Sequence, residues 1–233
     1  YAASDDPADV EVAHESDGYV NRWFLDAIYR GADPDDMRGR YESLIGPLDF
    51  VRDGDLETIA APTDYLGVNY YAPRVIRAAP GDAPWPWRVV VPEGVRTTGG
   101  FTDGAARTEA GTPIVPAALT DLLVRIRDDY GDPPILITEN GAVFGEPVHD
   151  RRRIEFVHDH LVAVLDARDR GVRMLGYCHW SLMDNFEWAL GYAQRFGLVH
   201  VDYETQARTV KDSGRWYARV AMANALPEPE EAR

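Results

Sequence analysis

Apolar and polar positions alternate in blocks along the 233 residues, and the blocks read as helices and strands in turn. Tyr1 to Val12 is acidic, contains proline and reads as a loop. Val20, Phe24 and Ile28 recur at helical spacing between Gly18 and Arg30, with Gly31 as the stop. Asp33-Pro34-Asp35-Asp36 marks a second helix start, with Asp33 as cap, Pro34 in the first position and acids facing the positive helix end. Asp64 to Tyr71 (DYLGVNYY) is rich in β-branched and aromatic residues and predicts a strand. Ala78 to Pro116 is full of Pro, Gly and Thr without a clear period, and a loop of that length in a compact domain is usually functional or mobile.

The second half is more regular. Leu119, Leu122, Leu123, Ile126 and Tyr130 mark an amphipathic helix closed by Gly131. Pro134 to Thr138 (PILIT) is a continuous apolar run suited to a strand buried on both faces. Asp150 to Arg170 carries Ile154, Val157, Leu161, Val164 and Leu165 on one helical stripe, Val172 to Trp180 follows as a strand, and Asp212 to Ala225 is helical again. No repeat or linker splits residues 1–233, and the charged, proline-broken tail at 227–233 is expected to fray. Strand–helix alternation predicts an α/β fold with a parallel sheet. An eight-stranded α/β barrel takes about 250 residues, yet only three strands emerge here, near 64–71, 134–138 and 173–180. The expected sheet is incomplete.

Composition narrows the partners. Acidic residues number 39 against 24 basic ones, a net charge of −15, and the single lysine is Lys211. A nucleic acid or an anionic membrane calls for clustered positive charge, so neither fits. No apolar run approaches the roughly 20 residues of a membrane helix, and no signal segment is visible. Cys178 is the only cysteine, which suits a reducing, cytoplasmic setting. Hydrophobic residues at 45% and aromatics at 11% are enough for a core.

Glu139 stands at the carboxyl end of the PILIT strand, where α/β sheets and barrels hold their ligands. Position alone leaves a catalytic carboxylate and a loop acid or helix cap equally open. Trp180 ends the next strand and is followed by Asp184, Asn185, Phe186, Glu187, Trp188, Tyr192 and Phe196. Aromatic faces among carboxylates and an amide suit a sugar, by stacking on its C–H face and hydrogen bonding its hydroxyls. An aromatic loop with solvated acids is the alternative. Asn69, Tyr70 and Tyr71 end the earlier strand, so three strand ends converge on one face. Asp159 separates His158 from His160, which point to different faces of their helix and make a poor metal site. His179 beside Cys178 reads as packing, and Arg151–Arg153 as a solvated helix start. No phosphate-binding glycine loop or nucleophile elbow is present.

With ITENG at 137–141, joined in order by NRWFLDAIYRG at 21–31, DYLGVNYY at 64–71, HWSLMDNFEWALGYAQRFGLVHVDY at 179–203 and RTVKDSGRWY at 208–217, the chain resembles glycoside hydrolase family 1, the β-glucosidase family of (β/α)8 TIM barrels. The resemblance implies a partial barrel, the carboxyl-terminal half from about strand 6 to strand 8. It implies a retaining β-glycosidase with Glu139 as nucleophile and Tyr71 orienting that carboxylate. Asn69 would line the pocket, Trp180 would lie under the glycone, Glu187 and Trp188 would bind its hydroxyls, and Phe196 would pack near its exocyclic end. A cis peptide between Trp180 and Ser181 is also implied. The substrate would be a β-glucoside or oligosaccharide, with no cofactor. Phospho-β-glucosidases of the family resemble a different pattern, with Ser in place of Glu187, so a non-phosphorylated sugar is expected. The family's acid/base Glu belongs to the half before Tyr1, which implies a fragment. Thr108–Pro116 departs from the family, with Gly111-Thr112 where a Gly-Trp pair is usual, and the loop after Gly141 is short. A sugar-binding module without catalysis and a half-barrel subunit completed by a separate amino-terminal half remain the alternatives.

Overall fold

The computed structural model describes residues 1–79, 81, 84–90, 94–97, 100–103, 105–227 and 229, with backbone alone for 94–97 and 100–103. In chain order the elements are α1 (Pro7–Asp17), a π-helical turn (Gly18–Arg22), α2 (Trp23–Arg30), α3 (Asp35–Ile45), α4 (Asp55–Ile59), β1 (Leu66–Asn69), β2 (Val75–Ala78), β3 (Trp87–Val90), β4 (Gly94–Thr97) and β5 (Gly100–Asp103). They continue with α5 (Pro116–Tyr130), β6 (Ile135–Asn140), α6 (Arg151–Asp169), β7 (Met174–His179), a short 3-10 turn (Trp188–Leu190), β8 (Val199–Val201), β9 (Arg208–Val210) and α7 (Asp212–Ala223).

The central sheet is parallel, in the order β1-β6-β7. These are the three strands expected from the sequence. Each parallel neighbour is reached through a crossover helix, α5 between β1 and β6 and α6 between β6 and β7, because parallel strands need a long return. The PILIT run is buried on one face only. Ile135 and Ile137 are fully buried in a core shared with Leu119, Leu123 and Ile126 of α5 and Ala163, Val164 and Ala167 of α6. Leu136 and Thr138 point to the other face and stay half-exposed, beside Gly67 and Gly176. Leu175 of β7 is 60% exposed. Among the described residues no helix covers that second face. No described helix is long and apolar enough to cross a membrane.

Several expectations shift, each for a physical reason. Tyr1 to Val12 is not all loop: α1 starts at Pro7, with Asp6 accepting a hydrogen bond from the Ala8 amide at 2.9 Å. Asp9 turns inward, accepting from the Ser4 hydroxyl at 2.6 Å and the Ala78 amide at 2.8 Å, so an acid of the expected loop joins the helix to β2. The stripe Val20, Phe24, Ile28 is not the core face of its helix, and Phe24 is 58% exposed. The π turn adds a residue to the helical period and rotates α2, so that Asp26 and Ala27 are buried and Leu25 and Tyr29 meet the core. Gly31 does close α2, at φ 64°. α3 begins one residue later than expected. Pro34 occupies the cap position, and Asp33 accepts from Arg38 at 2.9 Å instead.

The span Ala78–Pro116 is less irregular than its composition suggests. β3 pairs antiparallel with β2, and β4 with β5. Tyr19, Trp85 and Trp87 cluster with tilted rings where the first hairpin meets the π turn, the Tyr19 and Trp85 centroids 4.6 Å apart. Residues 80, 82–83, 91–93, 98–99 and 104 of that span lie outside the described residues, as does most of the expected frayed tail, 228 and 230–233. α7 ends at Ala223, two residues before the expected Ala225, where Asn224 takes the left-handed conformation.

Candidate active site

The three strand ends are laced together by their backbones. The Tyr70 amide donates to the Glu139 carbonyl at 2.9 Å, and the Trp180 amide to the Asn140 carbonyl at 2.9 Å. Asn140 is fully buried between them. Its amide group donates to the Tyr70 carbonyl at 2.7 Å, and its Oδ1 accepts from the Tyr177 hydroxyl at 2.6 Å. Gly141 comes next because the chain passes so close to β7 that a Cβ there would lie 1.9 Å from the Trp180 carbonyl oxygen. The last three letters of the motif thus have three jobs: Glu139 faces the open end, Asn140 ties the strands, and Gly141 lets them approach.

At the open end the half-buried Tyr71 hydroxyl donates to Glu139 Oε2 at 2.7 Å. Burial, and then the hydrogen bond and charge of Glu139, hold the Tyr71 phenol well above its usual range, and the Glu187 charge adds to that. Tyr71 therefore stays a neutral donor across the working pH range. The Phe196 ring meets Tyr71 edge-on, centroids 6.4 Å apart. Trp180 Nε1 donates to Glu187 Oε2 at 3.4 Å, and the Trp180–Ser181 peptide is cis. Asn69 Oδ1 accepts from the Thr138 hydroxyl at 2.6 Å, on the uncovered face of the sheet.

Six of the seven site residues read from the sequence therefore gather at these strand ends. Glu139, Tyr71 and Phe196 form one chain of contacts, Trp180 and Glu187 a second, and Asn69 stands beside Glu139 in register. Trp188 stands apart. It heads the 3-10 turn at φ 45° with 81% of its surface exposed, so its ring is open to stacking on a ligand.

Asp184 is a correction. Grouped in sequence with the sugar-facing acids, it is buried, and its oxygens accept from Lys211 Nζ at 3.0 Å, Arg195 Nη1 at 2.8 Å and the Gly197 and Val201 amides at 3.0 and 3.3 Å. Desolvation would raise its pKa, but the Arg195 and Lys211 bonds outweigh it and hold the carboxylate below its ordinary value. Tyr192 is exposed, with its ring against those of Phe186 and Tyr203. The solvated arginine run also needs revision, because Arg153 is fully buried while Arg151 and Arg152 are exposed. His160 is buried, with Nδ1 on the Phe156 carbonyl at 2.8 Å and its pKa lowered by burial to about 4. Among the described residues no group of three or more His, Cys, Asp or Glu could hold a metal ion.

The family model described as Glycosyl hydrolase family 1 matches residues 1–226. The bifunctional beta-D-glucosidase/beta-D-fucosidase of Bifidobacterium breve is 39% identical over 224 residues, 91% of this chain and 48% of its own length. Among solved structures, the AHE enzyme from Alicyclobacillus herbarius superposes with a TM-score of 0.85 at 44% identity, over 95% of this chain and 48% of that one. The GH1 beta-glucosidase from Exiguobacterium antarcticum B7 gives 0.86 at 39%, over 97% and 50%. The chain spans about half the length of the relatives it matches. Over that half, the likeness in sequence and the likeness in fold agree: the chain belongs to glycosyl hydrolase family 1.

Proposed function

We propose that these residues supply the nucleophile half of a retaining β-glycosidase acting on terminal, non-phosphorylated β-glucosides, and that they correspond to about strands 6 to 8 of the family's barrel. The observation that carries this is the Tyr71 hydroxyl held 2.7 Å from Glu139 Oε2 at a strand end. A carboxylate that spends one lone pair on a permanently neutral donor keeps the others for attack, and the donor fixes which oxygen faces the sugar. Glu139 attacks the anomeric carbon, the C1–O bond to the leaving group breaks, and a glycosyl ester forms that water later opens. Glu187 and Trp180 take the sugar's hydroxyls and face. The negative charge of Glu187 disfavours a phosphorylated glycone.

A retaining site also needs a second carboxyl group about 5–5.5 Å from the first, to protonate the leaving oxygen and then to activate water. No motif in this chain matches it, and a half not contained in these residues is its source in the proposal. The test is 2,4-dinitrophenyl β-glucoside, whose leaving group needs no proton. The expected result is one equivalent of dinitrophenolate released per chain, followed by a stall, with azide restarting turnover and the Glu139→Gln chain silent. Sustained turnover of an unactivated alkyl glucoside by these residues alone would contradict the division of labour. Saturable glucoside binding with no release, unchanged in Glu139→Gln, would favour a binding module.

A further inference from the structure

Arg153 is the buried group that the proposed chemistry leaves unused. It lies in the first turn of α6 with no exposed surface, and its Nε donates to the equally buried Asp150 at 2.8 Å. Taking a guanidinium out of water costs several kcal/mol and persists only where its donors are met. Here they are met by backbone. Nη1 donates to the Ala142 and Phe196 carbonyls, the latter at 3.1 Å, and Nη2 to the Arg195 carbonyl at 3.0 Å. Ala142 is three residues past Glu139, on the loop leaving β6. Arg195 and Phe196 end the loop that leaves β7 and carries Trp180 and Glu187. One planar fork therefore spans the two loops.

The same short segment is gripped from its other side. Asp184 accepts the Gly197 amide at 3.0 Å and the Arg195 side chain at 2.8 Å, and is itself held by Lys211. Asp150 also accepts from the Ser213 amide and hydroxyl at 2.9 and 2.6 Å, which anchors the fork to α7. Gly197 has no room for a side chain, since a Cβ there would lie 2.1 Å from the Asp184 amide nitrogen. Between these grips sits Phe196, edge-on to Tyr71, whose hydroxyl holds Glu139.

We propose that Arg153 is a positioning residue for the Glu139 site: its guanidinium locks the loop after β6 to the loop after β7, setting Phe196 against the Tyr71–Glu139 pair. Lysine keeps the charge but loses the fork, because an ammonium on a flexible stem cannot meet three carbonyls on two loops at once. The kinetic half of the proposal rests on Glu139 being the nucleophile, whereas the mechanical half does not.

The test compares the whole chain with Arg153→Lys by amide hydrogen exchange and by the rate at which an activated 2-deoxy-2-fluoro-glucoside labels Glu139. Exchange over 139–144 and 195–201 is expected to speed up about tenfold or more while α5 is unchanged. Labelling at saturating reagent is expected to slow by about tenfold to a hundredfold, with a smaller change in the half-saturating concentration. Wild-type exchange in both segments, or a wild-type labelling rate, overturns the proposal. If the wild-type chain does not label, the nucleophile reading fails and exchange alone decides whether the lock exists. If Arg153→Lys does not fold, Asp150→Asn replaces it: the fork stays but loses its counter-charge, and the same segments should loosen to a lesser degree. Unchanged exchange there overturns the lock.

Discussion

Asp184 and Glu187 lie three residues apart in one aromatic loop, yet they work in different layers of the molecule. Asp184 belongs to a buried layer with Asp150, Arg153 and Lys211, where both oxygens meet fixed donors. Glu187 belongs to the rim with Glu139, Tyr71 and Trp180, where the side-chain bonds described are Trp180 to Glu187 and Tyr71 to Glu139. A carboxylate surrounded by donors has nothing left for a substrate and serves as a strut. A carboxylate with a single orienting partner keeps lone pairs free for a ligand. What separates the two is the number and rigidity of the donors, not the residue type.

The sharpest way to break this contrast is to remove a strut. Lys211→Met leaves Asp184 buried without its ammonium, and stability should fall by about 3–5 kcal/mol, read as a lower urea midpoint. Acid tests a buried group outside that layer next, His160 of α6. His160 stays neutral in the fold because burial lowers its pKa to about 4, while in the unfolded chain it titrates near 6.5. The unfolded state therefore binds the extra proton first as pH falls. His160 stabilises the fold fully above about 6.5, and that contribution shrinks between 6.5 and 4. From pH 7 to pH 5 the His160 share of the lost stability is expected to be about 2 kcal/mol. His160→Leu should remove that share while the share of His179, whose pKa is lowered by burial to about 3, remains. Unfolding curves of both chains at the two pH values measure it.

Rim substitutions should show the reverse profile, with chemistry altered and stability kept. Tyr71→Phe removes the donor to Glu139 and should slow labelling by the fluoro-glucoside roughly tenfold, about 1.4 kcal/mol, with a near-normal urea midpoint. Glu187→Gln should weaken binding of a glucose-like imino sugar by about fivefold in calorimetry and leave unfolding unchanged. A rim variant that unfolds the chain, or a strut variant that spares stability, would erase the distinction between the layers.

How much of this could be read from the sequence depended on how local each cause was. The three sheet strands, α5, and the helix stops at Gly31 and Gly131 come from spacing within one segment. The meeting of Glu139 and Tyr71 at the strand ends was legible because α/β sheets place ligands there and because the family resemblance pairs the two. The burial of Asp184 was not legible, since its ammonium partner Lys211 lies 27 residues farther on. Nor was that of Arg153, whose two terminal nitrogens donate to backbone carbonyls, which leave no trace in side-chain pattern. The π turn after α1 misled the reading of Val20, Phe24 and Ile28 because the helical period assumes no inserted residue. Asn140 and Tyr177 were missed as a pair, and the only signal for them was an amide between a strand-end acid and a glycine.

The most direct measurement is intact mass after incubation with a 2-deoxy-2-fluoro-glucoside bearing an activated leaving group, which needs the nucleophile and hardly needs the proton donor. With Glu139 as nucleophile, the folded chain gains one fluoroglucosyl unit, peptide mapping puts it on Glu139, and Glu139→Gln gains none. A folded, soluble chain that gains no mass, or one that carries the adduct on another residue, would contradict it.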